Sequence, residues 1–148
     1  MKKTDVTYHT NWDIRFLELA SHVSTWSKDP NTKVGAVIAN ENRQVLSLGY
    51  NGFPRGVEDK KSRYEDRATK LLFVAHAERN ALDNAFVDVR GATLYTTLCP
   101  CNECAKSIVQ RGIKRVISYA PPFDIVERFN IGTTRILFRE GGVELVLI

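Results

Sequence analysis

The three cysteines of this 148-residue chain fall at positions 99, 101 and 104. Cys101 and Cys104, in Pro100-Cys101-Asn102-Glu103-Cys104, stand three apart at the start of a segment with helical periodicity. On a helix that spacing puts both sulfurs on one face, within reach of a single ion. A helix N-terminus also favours their thiolate forms. Upstream, His76-Ala77-Glu78 opens another such segment. Two positions apart, His76 and Glu78 cannot share a face in mid-helix. The spacing makes sense at a helix entrance, where the histidine turns to a metal and the glutamate reaches a water beside it. An ion held by His76, Cys101 and Cys104 therefore ties two helix entrances together.

Three protein ligands leave the fourth tetrahedral position to water, the catalytic arrangement of zinc. Zinc lowers the pKa of that water, but another group must accept and deliver the proton, and Glu78 is the candidate. The competing readings are a structural zinc knot and a redox Cys-x-x-Cys. A structural site needs a fourth ligand. Cys99 is too close along the chain to complete the tetrahedron comfortably, and His9 and His22 lie far upstream. Cys99 reads instead as a buried strand-end residue. An odd, clustered trio of cysteines also argues against a disulfide framework.

The rest of the composition is that of one ordinary globular domain spanning 1–148, with 43% hydrophobic and 26% charged residues. The net charge of +4 suits anionic ligands such as nucleotides. Basic residues are spread along the chain, with a modest knot at Lys60, Lys61, Arg63 and Arg67, so no nucleic-acid-binding face is expected. No apolar run approaches the roughly 18 to 20 residues of a membrane span. Met1–Asp5 turns polar at once, without the apolar core of a signal peptide, so a cytoplasmic location is expected.

Periodicity predicts a helix over 12–27, with Ile14, Leu17 and Ala20 on its apolar face, Asn11 or Asp13 as cap, and Pro30 beyond its end. Runs at 34–39 and 45–50 flank a polar turn and read as a β-hairpin. Residues 51–70, rich in Gly, Pro and charge, read as a long loop with room for a short helical turn. Helices follow over 76–86, 101–110 and 133–140, and strands over 93–97, 116–119 and 143–148. Residues 121–132 read as irregular, broken by Pro121-Pro122. The alternation in the second half predicts a layered α/β domain with parallel pairing there.

His-x-Glu followed by Pro-Cys-x-x-Cys is the general signature of zinc nucleobase deaminases. With Ser27–Ile38, with Gly49-Tyr50-Asn51-Gly52-Phe53-Pro54-Arg55-Gly56 and with the flanks of both metal motifs, nearly the whole chain resembles the cytidine deaminase superfamily and, within it, the deoxycytidylate (dCMP) deaminases. The zinc motif marks only the superfamily; the Gly-Tyr-Asn-Gly-x-Pro-x-Gly stretch carries the narrower likeness. The resemblance implies a three-layer α/β fold, a five-stranded mixed sheet between helices, with the zinc between two helix starts. It implies that dCMP becomes dUMP and ammonia for thymidylate synthesis: water activated by the metal adds at C4 of cytosine, and Glu78 takes its proton, passes one to ring N3 and helps the amine leave.

The resemblance also assigns Asn51 to the substrate sugar, although Asn-Gly alone would suggest a turn. Tyr119 is a candidate for the pocket wall, or a half-buried strand tyrosine. Arg55, Lys60, Lys61, Arg63 and Arg67 are candidates for the 5′-phosphate. Family members are often hexamers activated by dCTP and inhibited by dTTP. By resemblance Lys28, Asn51, Gly52, Arg55 and Gly56, with the N-terminal segment, are candidates to hold such an effector and its Mg2+. Two departures stand out. No Cys or His lies between Val57 and Leu72, so a second, structural zinc is not expected, and Arg79 follows the catalytic glutamate where some relatives carry an apolar residue. Deaminases of tRNA adenosine, guanine or the riboflavin pathway remain alternatives on the same fold, as does a catalytically inactive nucleotide-binding regulator.

Overall fold

A computed structural model describes residues 9–148. The readings of Met1–Asp5, and of the N-terminal segment as part of an effector site, lie outside them. Helix α1 (Asn11–Ser24) leads into strands β1 (Gly35–Ala39) and β2 (Val45–Tyr50). Helices α2 (Lys61–Glu65), α3 (Arg67–Phe73) and α4 (Ala77–Asp83) follow, then β3 (Thr93–Thr96), α5 (Asn102–Gln110) and β4 (Arg115–Ser118). Helices α6 (Phe123–Arg128) and α7 (Ile131–Gly141) precede the last strand, β5 (Glu144–Leu147). The five strands form one sheet in the order β2-β1-β3-β4-β5, antiparallel at β2-β1 and β1-β3 and parallel at β3-β4 and β4-β5. The parallel pairs are the ones joined through helices α5 and α7, as crossover connections require.

Strand alternation divides the core in two. Ala36, Ile38, Leu94 and Val116 point to one face, where they meet Ala81 of α4, Ala105 and Ile108 of α5 and Phe138 of α7. Val37, Ala39, Tyr95, Ile117 and Val146 point to the other and meet Phe16, Leu17 and Ala20 of α1. This is the expected three-layer fold, a mixed sheet between helices. Its layers press close enough that Gly49 is obligatory: a Cβ there would overlap Ala81 N and Ala77 O of α4. That contact seats α4, and with it His76 and Glu78, against the sheet.

Several local expectations need correction. The cap of α1 is Thr10, whose hydroxyl accepts from Asp13 N while the Asp13 carboxylate accepts from Thr10 N. Leu17 and Ala20 are buried as expected, together with Phe16 and Val23, but Ile14 is exposed and Asp13 is buried in its stead. Burial is possible because Tyr95 Oη donates to Asp13 at 2.8 Å and Arg115 Nη2 at 3.2 Å. The segment 51–70 is not a loop with one turn; it contains α2 and the start of α3, which Asp66 caps. Nor is 121–132 irregular. Pro122 immediately precedes α6, where a missing N–H costs nothing, and α7 begins at Ile131.

Candidate active site and metal centre

His76 is the N-cap of α4 and Cys101 the N-cap of α5, and neither side chain caps its own helix. Both are free to turn to a common point. Cys104 stands in the first turn of α5, on the same side as Cys101. The Nδ1 of His76 lies 3.2 Å from Cys104 Sγ and 3.6 Å from Cys101 Sγ, and all three ligand atoms fall within 4.8 Å of one another. Zn–N and Zn–S bonds of about 2.1 and 2.3 Å in a tetrahedron put neighbouring ligand atoms roughly 3.5 Å apart, so the donor set fits one zinc ion with a fourth position left over. Hydrogen bonds from Cys104 and His76 outweigh burial and bring the Cys101 thiol down to about 4, a thiolate at neutral pH. Cys104 is held up by sharing its proton with Cys101 and by burial. Among the described residues no other group of three such ligands occurs, and Cys99 is buried, with a thiol that burial raises to about 11.

Glu78 sits in the first turn of α4 and is 4% exposed. Burial pushes its carboxyl above the usual range, against the pull of His76. Thr96 Oγ1 donates to its Oε1 at 3.3 Å. The cysteine segment is itself clamped from α7 and the end of α6: Thr134 Oγ1 donates to Pro100 O at 2.9 Å, and Asn102 N donates to Phe129 O at 3.3 Å.

His76, Glu78, Cys99 and Cys101 line a cleft together with the buried Asp29 and Asn51, with Lys70 and Phe129, and with the exposed Arg67 and Arg128. Asn51 thus reaches the cleft. Its Oδ1 accepts from Val34 N at 2.8 Å and its Nδ2 donates to Thr32 O, also at 2.8 Å, leaving one oxygen lone pair for a ligand. Of the cations proposed for phosphate, Arg67 alone lines the cleft. Lys60 pairs with Glu58, Lys61 with Glu65, Arg63 donates to Glu58 O, and Arg55 reaches Asn84. Lys28 is bound to Asp59 on the surface, Gly52 forms a bridge with Ala75, and Gly56 turns the chain at φ 85°. Tyr119 bonds Ser21 of α1 at 3.2 Å and is not part of the cleft lining. Arg79 donates to Ser107 across α4 and α5.

Sequence reasoning missed Thr96, Lys70, Arg128 and Phe129. Only Thr96 left a trace, a hydroxyl in the strand phase of Leu94. Lys70 is neutralised in place, 2.8 Å from the buried Asp29 carboxylate. Arg67 and Arg128 have no carboxylate within salt-bridge reach among the described residues.

Residues 10–120 match the family described as the cytidine and deoxycytidylate deaminase zinc-binding region. An uncharacterised deaminase from the luxG 3′ region of Aliivibrio fischeri is 39% identical over 138 residues, 92% of each chain. The deoxycytidylate deaminase of Homo sapiens is 38% identical over 141 residues, 91% of this chain and 78% of that one. The dCMP deaminase of cyanophage S-TIM5, solved both alone and with dCMP and dUMP, superposes with a TM-score of 0.73 at 27% identity, over 95% of this chain and 100% of that one. No helix among the described residues is long and apolar enough to cross a membrane. With the zinc ligands and buried glutamate in one cleft, the chain belongs to the cytidine and deoxycytidylate deaminase family and is a zinc-binding deaminase, a hydrolase that releases an amino group.

Proposed function

We propose that this enzyme hydrolyses dCMP to dUMP and ammonia, with Glu78 carrying the protons. The observation that carries the reading is the buried Glu78 carboxyl beside the His76-Cys101-Cys104 cluster, at the floor of a cleft whose mouth presents Arg67 and Arg128. Zinc on the three ligands would supply an acidified water and a positive charge for the oxygen that forms at C4. The chain's own residues do the rest. Glu78 accepts one proton of the attacking water and returns it to ring N3, then accepts the remaining proton of the added hydroxyl and passes it to the C4 amine, so that the C–N bond breaks, the C4 carbonyl forms and ammonia leaves. Burial raises its carboxyl above the ordinary value, which favours a group that gives back the proton it takes. The free lone pair of Asn51 can accept from the sugar hydroxyl. Arg67 and Arg128 offer guanidinium groups to the 5′-phosphate, while Lys70, tied to Asp29, stiffens the wall.

The family resemblance supports regulation as well: a homohexamer activated by dCTP and inhibited by dTTP, with Lys28, Asn51, Gly52, Arg55 and Gly56 near the effector and its Mg2+. Ammonia release from dCMP, dCTP, deoxycytidine, cytosine and guanine, with and without dCTP and dTTP, tests both readings. Turnover of dCMP ahead of the unphosphorylated substrates is expected. Failure on dCMP under every condition overturns the substrate, and indifference to both triphosphates overturns the regulation.

A further inference from the structure

We propose that Thr96 is a positioning residue for the deamination, its hydroxyl holding the Glu78 carboxyl in place through successive proton transfers. The inference rests on the reading of Glu78 as proton relay. Thr96 ends β3 and is fully buried. Strand alternation sets it on the face of Leu94, beneath α4 and α5. Its Oγ1 stands 3.3 Å from Glu78 Oε1 and 3.0 Å from Leu98 O. A threonine needed only to shape the turn into the cysteine segment would be satisfied by Leu98 O; the second approach, to a buried carboxyl, serves the site.

One hydroxyl carries one proton and two lone pairs. Facing a carboxylate, Thr96 donates to Oε1. The reacting protons pass through the other carboxyl oxygen, so Oε1 stays an acceptor for Thr96 in the carboxylic acid as well. It therefore has a partner in either state, and the second carboxyl oxygen of Glu78 stays free for the reacting water. The thiol of Cys104 also reaches Glu78, but as a thiolate ligand it has no proton to give. Thr96 is then the side-chain donor that remains to Glu78 among the described residues.

Thr96→Val keeps the shape and removes the hydroxyl. For dCMP, kcat per bound zinc should fall about 10-fold or more while KM changes less than about threefold, and Thr96→Ser should recover most of the loss. Zinc content and melting temperature are read on the same samples. A hydroxyl that served only the turn would lower those and leave kcat per zinc unchanged. Should the valine variant fail to fold, Thr96→Cys, similar in size and a poorer donor, takes its place with the same expected split. An unchanged kcat per zinc in that variant, or a serine variant as slow as the valine one, overturns the proposal. Glu78→Gln runs alongside: full activity there would remove the relay itself, whereas an inactive Glu78→Gln beside a fully active Thr96→Val removes only the role of Thr96.

Discussion

Two carboxylates lie buried on opposite faces of the same sheet, Asp13 under α1 and Glu78 under α4, at 3% and 4% exposure. They are even served by neighbouring residues of β3: Tyr95 points one way and donates to Asp13, Thr96 points the other and donates to Glu78. Their carboxyls are shifted in opposite directions. Burial works against Asp13, but hydrogen bonds from Arg115, Thr10 and Tyr95 hold its carboxyl below the ordinary value. Glu78 has the Thr96 hydroxyl, the Cys104 thiol and the nearby His76 but no arginine or lysine paired to it, so burial wins and its carboxyl is raised. Burial alone therefore does not mark a catalytic acid. What separates the pair is how much of the desolvation cost the neighbours return: a fully partnered carboxylate is fixed in charge and serves the fold, while a sparsely partnered one can exchange protons.

The sharpest test exchanges each charge for an amide. Glu78→Gln should keep its zinc and its melting temperature, since a neutral amide is cheaper to bury, yet lose about 10²- to 10⁴-fold in ammonia release. Loss of zinc, or activity within tenfold of the parent, would put Glu78 in the class of Asp13. The converse substitution, Asp13→Asn, should leave kcat per folded enzyme unchanged and cost about 2 kcal/mol of stability, because Arg115 loses its main partner and keeps only Glu144 at 3.6 Å. Thermal or urea unfolding would show it. The sign with pH follows from the lowered pKa. The stabilisation is fully present above the unfolded value of 3.8 and is lost as pH falls through the still lower folded value, so parent and Asp13→Asn should converge in strong acid. A gap that widened on acidification would contradict the pairing.

How much of this was readable in the sequence divides along the same line. The clustering of His76, Cys101 and Cys104 was legible because metal chemistry demands particular residue types at fixed spacing, and helix entrances are short enough for spacing to determine geometry. Asp13 was legible as a capping residue but not as a buried one, because its partners Tyr95 and Arg115 arrive from strands far along the chain. The hairpin and the parallel pairing of the second half were legible from the run of strands and helices; the strand order was not. Helices α2, α3 and α6 were not, being too short for an apolar period to declare itself, and a proline before a helix looks the same in sequence as one that prevents it. The exposed cleft lining suffered most, since any of many surface cations could sit there and only the tertiary fold selects Arg67 and Arg128.

That lining makes a milder prediction. Arg67→Ala should raise KM for dCMP about tenfold, the loss of one exposed charge-assisted hydrogen bond, with kcat and the KM for deoxycytidine little changed. Equal losses on both substrates would place Arg67 outside the phosphate contact.

The smallest effect is expected at Tyr119. It was read as a possible pocket residue, yet its hydroxyl meets Ser21 on the α1 side of the sheet and its ring stands 38% exposed. An exposed neutral hydrogen bond contributes about 1 kcal/mol or less. Tyr119→Phe should therefore move neither KM nor kcat for dCMP by more than about threefold, a margin narrower than one such bond would open in a binding constant. A larger rise in KM would mean that the tyrosine turns into the cleft when substrate binds, and the division between a structural face under α1 and a chemical face under α4 would no longer run cleanly along the sheet.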